Sequence, residues 1–151
     1  MIRKFKPADT ISTAQVWYRS GKDEYTYLPM FQALDEDEAL TVFKSLILQH
    51  CEIWVYQSQS EICGFLAMQG SYIDRLYVDP AQHRKGVGVA LLKHAMQLSP
   101  DGLQLHTHQQ NHRARKFYEK SGFAAVKFGV SPAPESVPDV EYHWHGQNNT
   151  G

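Results

Sequence analysis

Two stretches of this 151-residue chain carry residue types and spacings suited to chemistry. The first, RLYVDPAQHRKGVGVALLKHAM (75–96), passes from alternating strand through Pro80 to a helix that follows two glycines. Its successive backbone N–H groups, from His83 through Arg84, Lys85, Gly86, Val87 and Gly88 to Val89, can point into one concavity. Glycines at 86 and 88 let an anion approach the backbone, and the helix start adds its positive end. Arg84 and Lys85 are placed to grip a further, more exposed phosphate. The second stretch, NHRARKFYEKSGF (111–123), sets Asn111, Ala114 and Tyr118 at i, i+3 and i+7 of one helix face. A small alanine between an amide and a phenol leaves room for a ligand against that face.

The glycine pattern excludes two common phosphate sites. A dinucleotide-binding turn needs a small third residue for close helix–strand packing, and here that position is Leu91. A P-loop needs a glycine five residues before Gly86 and a lysine after it; Ala81 and Val87 stand there instead. A pyrophosphate on a long, partly apolar molecule fits the remaining pattern.

The elements that must position these residues read as follows. Met1–Phe5 is a first strand. Pro7 opens a helix with Ile11, Ala14 and Trp17 or Tyr18 inward, ending at Gly21. KDEYTYLPMFQAL reads as a loop or irregular helix. Asp35 and Glu38 form a capping box for a helix burying Ala39, Val42, Phe43, Leu46 and Ile47. Glu52–Tyr56 and Ile62–Met68 make a hairpin, and Tyr72–Val78 is a strand. Val87, Leu91, Ala95 and Leu98 form one face of the next helix, followed by strand Leu103–His108. A helix from Asn111 to Ser121 stops at Gly122. Phe123–Val130 and Val140–Trp144 are the last strands. The order β-α-α-β-β-β-α-β-α-β-β gives an α/β fold, a mixed sheet with helices covering it.

Composition bounds the function. The chain is long enough for one domain with a real core. A net charge of −1 argues against a nucleic-acid binder, so a phosphate site must be local. No apolar run is long enough for a membrane span. The two cysteines, Cys51 and Cys63, fall out of register across the hairpin, which points to buried free thiols and a cytoplasmic protein.

The chain resembles the GNAT superfamily of acetyl-coenzyme A-dependent N-acetyltransferases. HRKGVG (83–88), preceded by LYVDP, is similar to its [QR]-x-x-G-x-[GA] motif, with His83 replacing the usual Gln or Arg. Asn111 to Phe123 is similar to its N-x-x-A-x-x-[FL]-Y-x-x-x-G-F helix, with Phe117 and Tyr118 as the aromatic pair. The resemblance implies one N-acetyltransferase domain over 1–146 and a flexible tail at 147–151. It implies acetyl-CoA bound by 83–89 together with Asn111, Ala114, Phe117 and Tyr118. A central strand pair that splays would free the backbone of Leu76, Tyr77 and Val78 for the pantetheine arm and the oxyanion. Tyr118 takes the general-acid position for the leaving thiolate.

An alkyl amine with a pKa of about 10.4 is neutral in only about one molecule in a thousand near pH 7.4, so a base or water must take its proton. Asp74 is the first candidate, two residues before Leu76 on the same nominal strand face; His106, His108 and ordered water stay open. Tyr25, Tyr27, Leu28, Met30 and Phe31, with the loop SPAPESVP, are expected to build the acceptor pocket, where Asp23 and Glu24 would favour a cation. The expected acceptor is a small-molecule primary amine. A protein lysine or N-terminus is the alternative, and a non-catalytic acyl-CoA sensor the third reading. His143 and His145 lack a third ligand, so no metal is expected. The Pro-rich connection before Val140 would permit a strand-exchanged homodimer.

Overall fold

The computed structural model describes residues 1–146; the tail expected at 147–151 lies outside them. Seven strands form one sheet in the order β1-β2-β3-β4-β5-β7-β6. They are β1 (Ile2–Lys4), β2 (Glu52–Ser58), β3 (Glu61–Gln69), β4 (Tyr72–Val78), β5 (Leu103–His108), β6 (Ala124–Val130) and β7 (Pro138–Trp144). Every neighbouring pair is antiparallel except β4 and β5, which are joined through a helical crossover. The last strand, β7, lies between β5 and β6 of its own chain.

Helices cover both faces. The strand β3 is buried from Cys63 to Met68 and alternates between two cores. Leu66 and Met68 face α4 (Val87–Leu98) and α5 (His112–Lys120), whereas Phe65 and Ala67 face α1 (Thr10–Glu24) and α3 (Glu36–Val42). The capping box forms as read: Asp35 accepts from the Glu38 amide at 2.8 Å, and Glu38 accepts from the Asp35 amide at 3.1 Å. Both thiols are free, with Cys63 buried and Cys51 only half-buried.

The structure corrects several local expectations. The stripe of α1 is Thr13, Val16, Trp17 and Ser20, with Ala14 beside it; Ile11 is exposed. Gly21 does not end that helix. It lies inside it, where any β-carbon would strike the Phe31 ring. A short additional helix, α2 (Pro29–Gln32), occupies the segment without clear period. Beyond α3 the chain continues as a π turn, Phe43–Leu48. Its wider i→i+5 spacing keeps Phe43 and Ile47 in the core and turns Leu46 out toward a cleft. Leu98 is the last residue of α4 and is exposed.

Candidate active site

A cleft of about 1700 Å3 opens where β4 and β5 part. The two strands pair only at Tyr72–Gln104 and Ile73–Leu105, so the rest of their facing edges is unpaired. Which backbone groups this frees follows from the β3–β4 ladder. The Asp79 amide donates to the Cys63 carbonyl at 2.8 Å, making that pair hydrogen-bonded. Bonded and unbonded pairs alternate in an antiparallel ladder. Phe65–Tyr77 is therefore bonded, and Leu66–Leu76 and Gly64–Val78 are not. The backbone of Leu76 and Val78 faces the gap, while that of Tyr77 is spent on β3, against expectation. The Val78 carbonyl already accepts from Ser20 Oγ at 2.9 Å and from His83 Nε2 at 3.2 Å. The open groups are the Leu76 amide and carbonyl and the Val78 amide.

At the mouth of the gap the chain turns through two left-handed residues, Arg84 at φ 65° and Gly86 at φ 80°. Gly86 is the N-cap of α4, so the amides of Val87, Gly88 and Val89 are its first three and lack intrahelical acceptors. A β-carbon at Gly86 would meet nothing within 4 Å, and one at Gly88 would only touch Phe117 and Val78 at 3.5 Å. These glycines leave a cradle over the helix end. Arg84 lines it, but Lys85 is exposed and outside the cleft wall. The Val87 side chain is buried in the core, leaving only its backbone to the cleft. His83 turns its ring onto the end of β4.

The opposite wall is α5. Asn111 caps it, accepting from the Ala114 amide at 3.2 Å. That bond fixes which end of the amide is nitrogen, and Nδ2 donates to Glu24 Oε1 at 2.6 Å. Burial pushes the Glu24 carboxyl up, with Asn111 and Arg113 pulling it back. Ala114, Phe117 and Tyr118 continue the same wall. Tyr118 is buried against Phe117, Phe123 and Tyr142. Burial, then Glu24 and Tyr77, raises its phenol far above the ordinary value. The phenol therefore holds its proton more tightly than the ordinary tyrosine that the sequence reading assumed.

On the acceptor side Tyr25 Oη and Tyr77 Oη are 2.5 Å apart. Tyr27 Oη lies 2.7 Å from His108 Nδ1, and His108 Nε2 lies 3.1 Å from Glu135 Oε2. Met30 is exposed at the lip, whereas Phe31 packs edge-on against Trp17 at 5.4 Å. Asp74 lines the cleft, but not on the face of Leu76 as expected. The β3–β4 register steps from Ala67–Arg75 to Met68–Ile73, leaving Asp74 as the extra residue of a bulge. Leu76 packs toward α4, but Asp74 bonds to Cys51 and Gln69, both at 3.5 Å, and lies 3.6 Å from Arg75. His106 sits instead with Tyr72, at 2.8 Å, and Glu141, at 3.5 Å. His143 likewise takes Glu141 at 2.5 Å. Among the described residues, no group of three or more His, Cys, Asp or Glu is placed to hold a metal ion.

Comparison with known proteins decides the family. Residues 15–123 match the acetyltransferase (GNAT) family. The chain belongs to that family. It is 30% identical over 123 residues to the peptidyl-lysine N-acetyltransferase YjaB of Salmonella typhimurium, covering 81% of each chain. It is 26% identical over 127 residues to the peptidyl-lysine N-acetyltransferase YiaC of Escherichia coli, covering 83% of this chain and 84% of that one. The solution structure of apo YjaB from Escherichia coli superposes with a TM-score of 0.80 at 25% identity, over 97% of this chain and 98% of that one. The PaiA N-acetyltransferase of Thermoplasma acidophilum, solved with coenzyme A, shares the fold at a TM-score of 0.70 and 20% identity, over 96% and 98%. This GNAT protein is thus an N-acetyltransferase that uses acetyl-CoA. Its own geometry fits that molecule: a glycine cradle with free amides for a pyrophosphate, and an unpaired strand edge for an extended amide-bearing arm. No helix among the described residues is long and apolar enough to cross a membrane.

The sequence reading placed Glu24 only among groups favouring a cation and missed its bond to Asn111. One signal was available: Glu24 closes α1, where the helix dipole disfavours a carboxylate, so its place needs another reason. Glu135 was seen only as part of a loop, and nothing local announced its pairing with His108.

Proposed function

We propose that this GNAT protein acetylates the ε-amine of lysine in polypeptides. The observation carrying this reading is the exposed apolar lining of the cleft. Beside the aromatic Tyr25, Tyr27 and Tyr77, the cleft is lined by Met30 (58% exposed), Leu46 (56%) and Val130 (65%). A small amine has little apolar surface with which to cover them. A lysine with its aliphatic stem and flanking peptide residues supplies that surface. The names of the curated relatives agree with this reading. It replaces the small-molecule amine favoured by the sequence alone.

In this reading Glu24 draws the ammonium inward. The Leu76 amide, free at the gap, meets the carbonyl oxygen as it gains charge. Tyr118 returns a proton to the leaving thiolate. Asp74, held by Arg75, Gln69 and Cys51, keeps the bulge in shape. The test is coenzyme A release with acetyl-CoA and a panel of lysine peptides, free lysine and polyamines, with acetylation mapped by mass spectrometry. Peptides should show the highest kcat/KM. Equal or better turnover of a free small amine would defeat the lysine reading and return the acceptor to the small-molecule class. Tight acetyl-CoA binding with no turnover of any amine would favour the sensor.

A further inference from the structure

Tyr27, His108 and Glu135 come from three separate parts of the chain: the turn after α1, the end of β5, and the connection between β6 and β7. They meet in the cleft wall in a single hydrogen-bonded row. The directions are set by chemistry. A carboxylate only accepts, so His108 Nε2–H donates to Glu135. The neutral ring then presents Nδ1 as an acceptor, and the Tyr27 hydroxyl donates to it. The His108 side chain is 13% exposed and that of Glu135 is 45% exposed. From His108 to Glu135 the row leads toward solvent.

We propose that Tyr27, His108 and Glu135 form the proton relay that deprotonates the acceptor amine. The incoming ammonium passes one proton to Tyr27 Oη as the tyrosine passes its own to His108 Nδ1. Tyr27 remains a neutral phenol throughout, and the new imidazolium rests against the Glu135 carboxylate before releasing the proton to water. The neutral amine then forms its N–C bond to the acetyl carbon and the C–S bond breaks. Tyr118 gives its proton to the departing sulfur and takes the second amine proton in return, so coenzyme A leaves as the thiol and Tyr118 ends as a neutral phenol. The net release is one proton, which leaves through His108. Two features of the site agree. Burial and the nearby Glu24 hold Tyr27 protonated, as a shuttle requires, and the bond to His108 holds Glu135 ionised. Asp74 is tied into the bulge, and His106, whose Tyr72 and Glu141 partners mirror those of His108, has a side chain 42% exposed against 13% for His108, so His108 is the more enclosed of the two imidazoles.

Several titratable and charged groups face His108. They are Tyr25 and Tyr27 after α1, Glu24 from α1, Glu135 from the β6–β7 connection and Asp139 opposite on β7, with Arg75 of β4 near Glu135.

The inference rests on an amine acceptor and not on its being lysine. The experiment is therefore run on both a lysine peptide and spermidine. Wild type, Tyr27→Phe, His108→Asn and Glu135→Gln are compared for kcat and KM from pH 6.5 to about 9.5, approaching the amine's own pKa. Acetyl-CoA affinity and melting are measured for each. Tyr27→Phe and His108→Asn should lose about a hundredfold in kcat near pH 7, in the range for one proton-transfer group. That loss should shrink as pH rises, because the amine then arrives neutral. Glu135→Gln keeps a hydrogen-bond acceptor and should show a smaller loss with the same trend. A defect that is constant with pH, or confined to KM, would make the row a clasp for the loop and overturn the relay. If a tyrosine or histidine variant fails to fold, Glu135→Gln with an unaltered profile overturns it equally. Preference for spermidine with the variant trend intact would defeat the lysine reading and leave the relay standing.

Discussion

Replacing Gly86 by alanine and by glutamate separates backbone strain from cofactor repulsion. Gly86 has φ 80°, and a β-carbon there meets no atom within 4 Å. Alanine therefore costs the left-handed strain of about 1–2 kcal/mol and makes no clash. That strain is present with and without ligand, so it should lower Tm by roughly 2–8 °C while leaving affinity within a few-fold. Glutamate carries the same strain and adds a carboxylate that projects into the open cradle. A like charge about 4 Å from a phosphate, at an effective dielectric of about 20, costs about 4 kcal/mol in the bound state alone. The expected result is a Kd for acetyl-CoA about a thousandfold weaker. Calorimetry at fixed low salt, with thermal melts of the unliganded proteins, reads both quantities. Binding of acetyl-CoA by Gly86→Glu within tenfold of Gly86→Ala would refute the cradle. Loss of binding in Gly86→Ala with little change in Tm would show that the loop itself rearranges.

Other perturbations probe the two walls and the core. Tyr118→Phe keeps the ring packing and should lower kcat about 10²–10⁴-fold with acetyl-CoA affinity nearly unchanged, as single-turnover thiol release would show. Glu24→Gln should raise the KM of a cationic acceptor about tenfold, because one charge a few ångströms away is worth about 1–4 kcal/mol before screening. The Glu24 carboxyl is pushed up by burial, so wild type loses stability as pH rises through that value. Glu24→Gln should therefore melt higher than wild type at pH 8, and the difference should close on acidification. Asp9 takes two bonds from Arg3, at 2.8 and 2.9 Å, and one from the Lys6 amide at 2.8 Å, which hold its carboxyl low. Asp9→Asn should cost about 2 kcal/mol at neutral pH by urea unfolding. The wild-type advantage should persist above the ordinary carboxylate range and fall away as pH drops through the depressed value.

What could be read from the chain, and what could not, divides by range. The glycine cradle and the Asp35 box are each complete within a few residues, so short-range stereochemistry makes them legible, whereas Asn111, read as the first residue of its helix, is the cap that precedes it. Strand positions were equally legible, because period-two burial is written into β2 and β7. Phase was not. Whether Ile11 or Thr13 faces the core depends on where α1 lands on the sheet. Leu46 reaches the cleft only because a π turn interrupts its helix, and Asp74 changes face because β4 accommodates one extra residue against β3. Neither irregularity leaves a local signature. The acceptor chemistry is more distant still, since Glu24 meets Asn111 across 87 positions and His108 meets Glu135 across 27. This division has a physical basis in the reaction itself. A pyrophosphate is bound by backbone, which short motifs specify, whereas an acceptor is chosen and deprotonated by side chains brought together from loops on several elements. A shared cofactor cradle can therefore serve different acceptors when only the loops at 25–31 and 131–137 change. For this chain, grafting those two loops from a relative of different acceptor class should move acceptor preference while leaving acetyl-CoA affinity where it was. A parallel loss of both would show that the loops also shape the cradle.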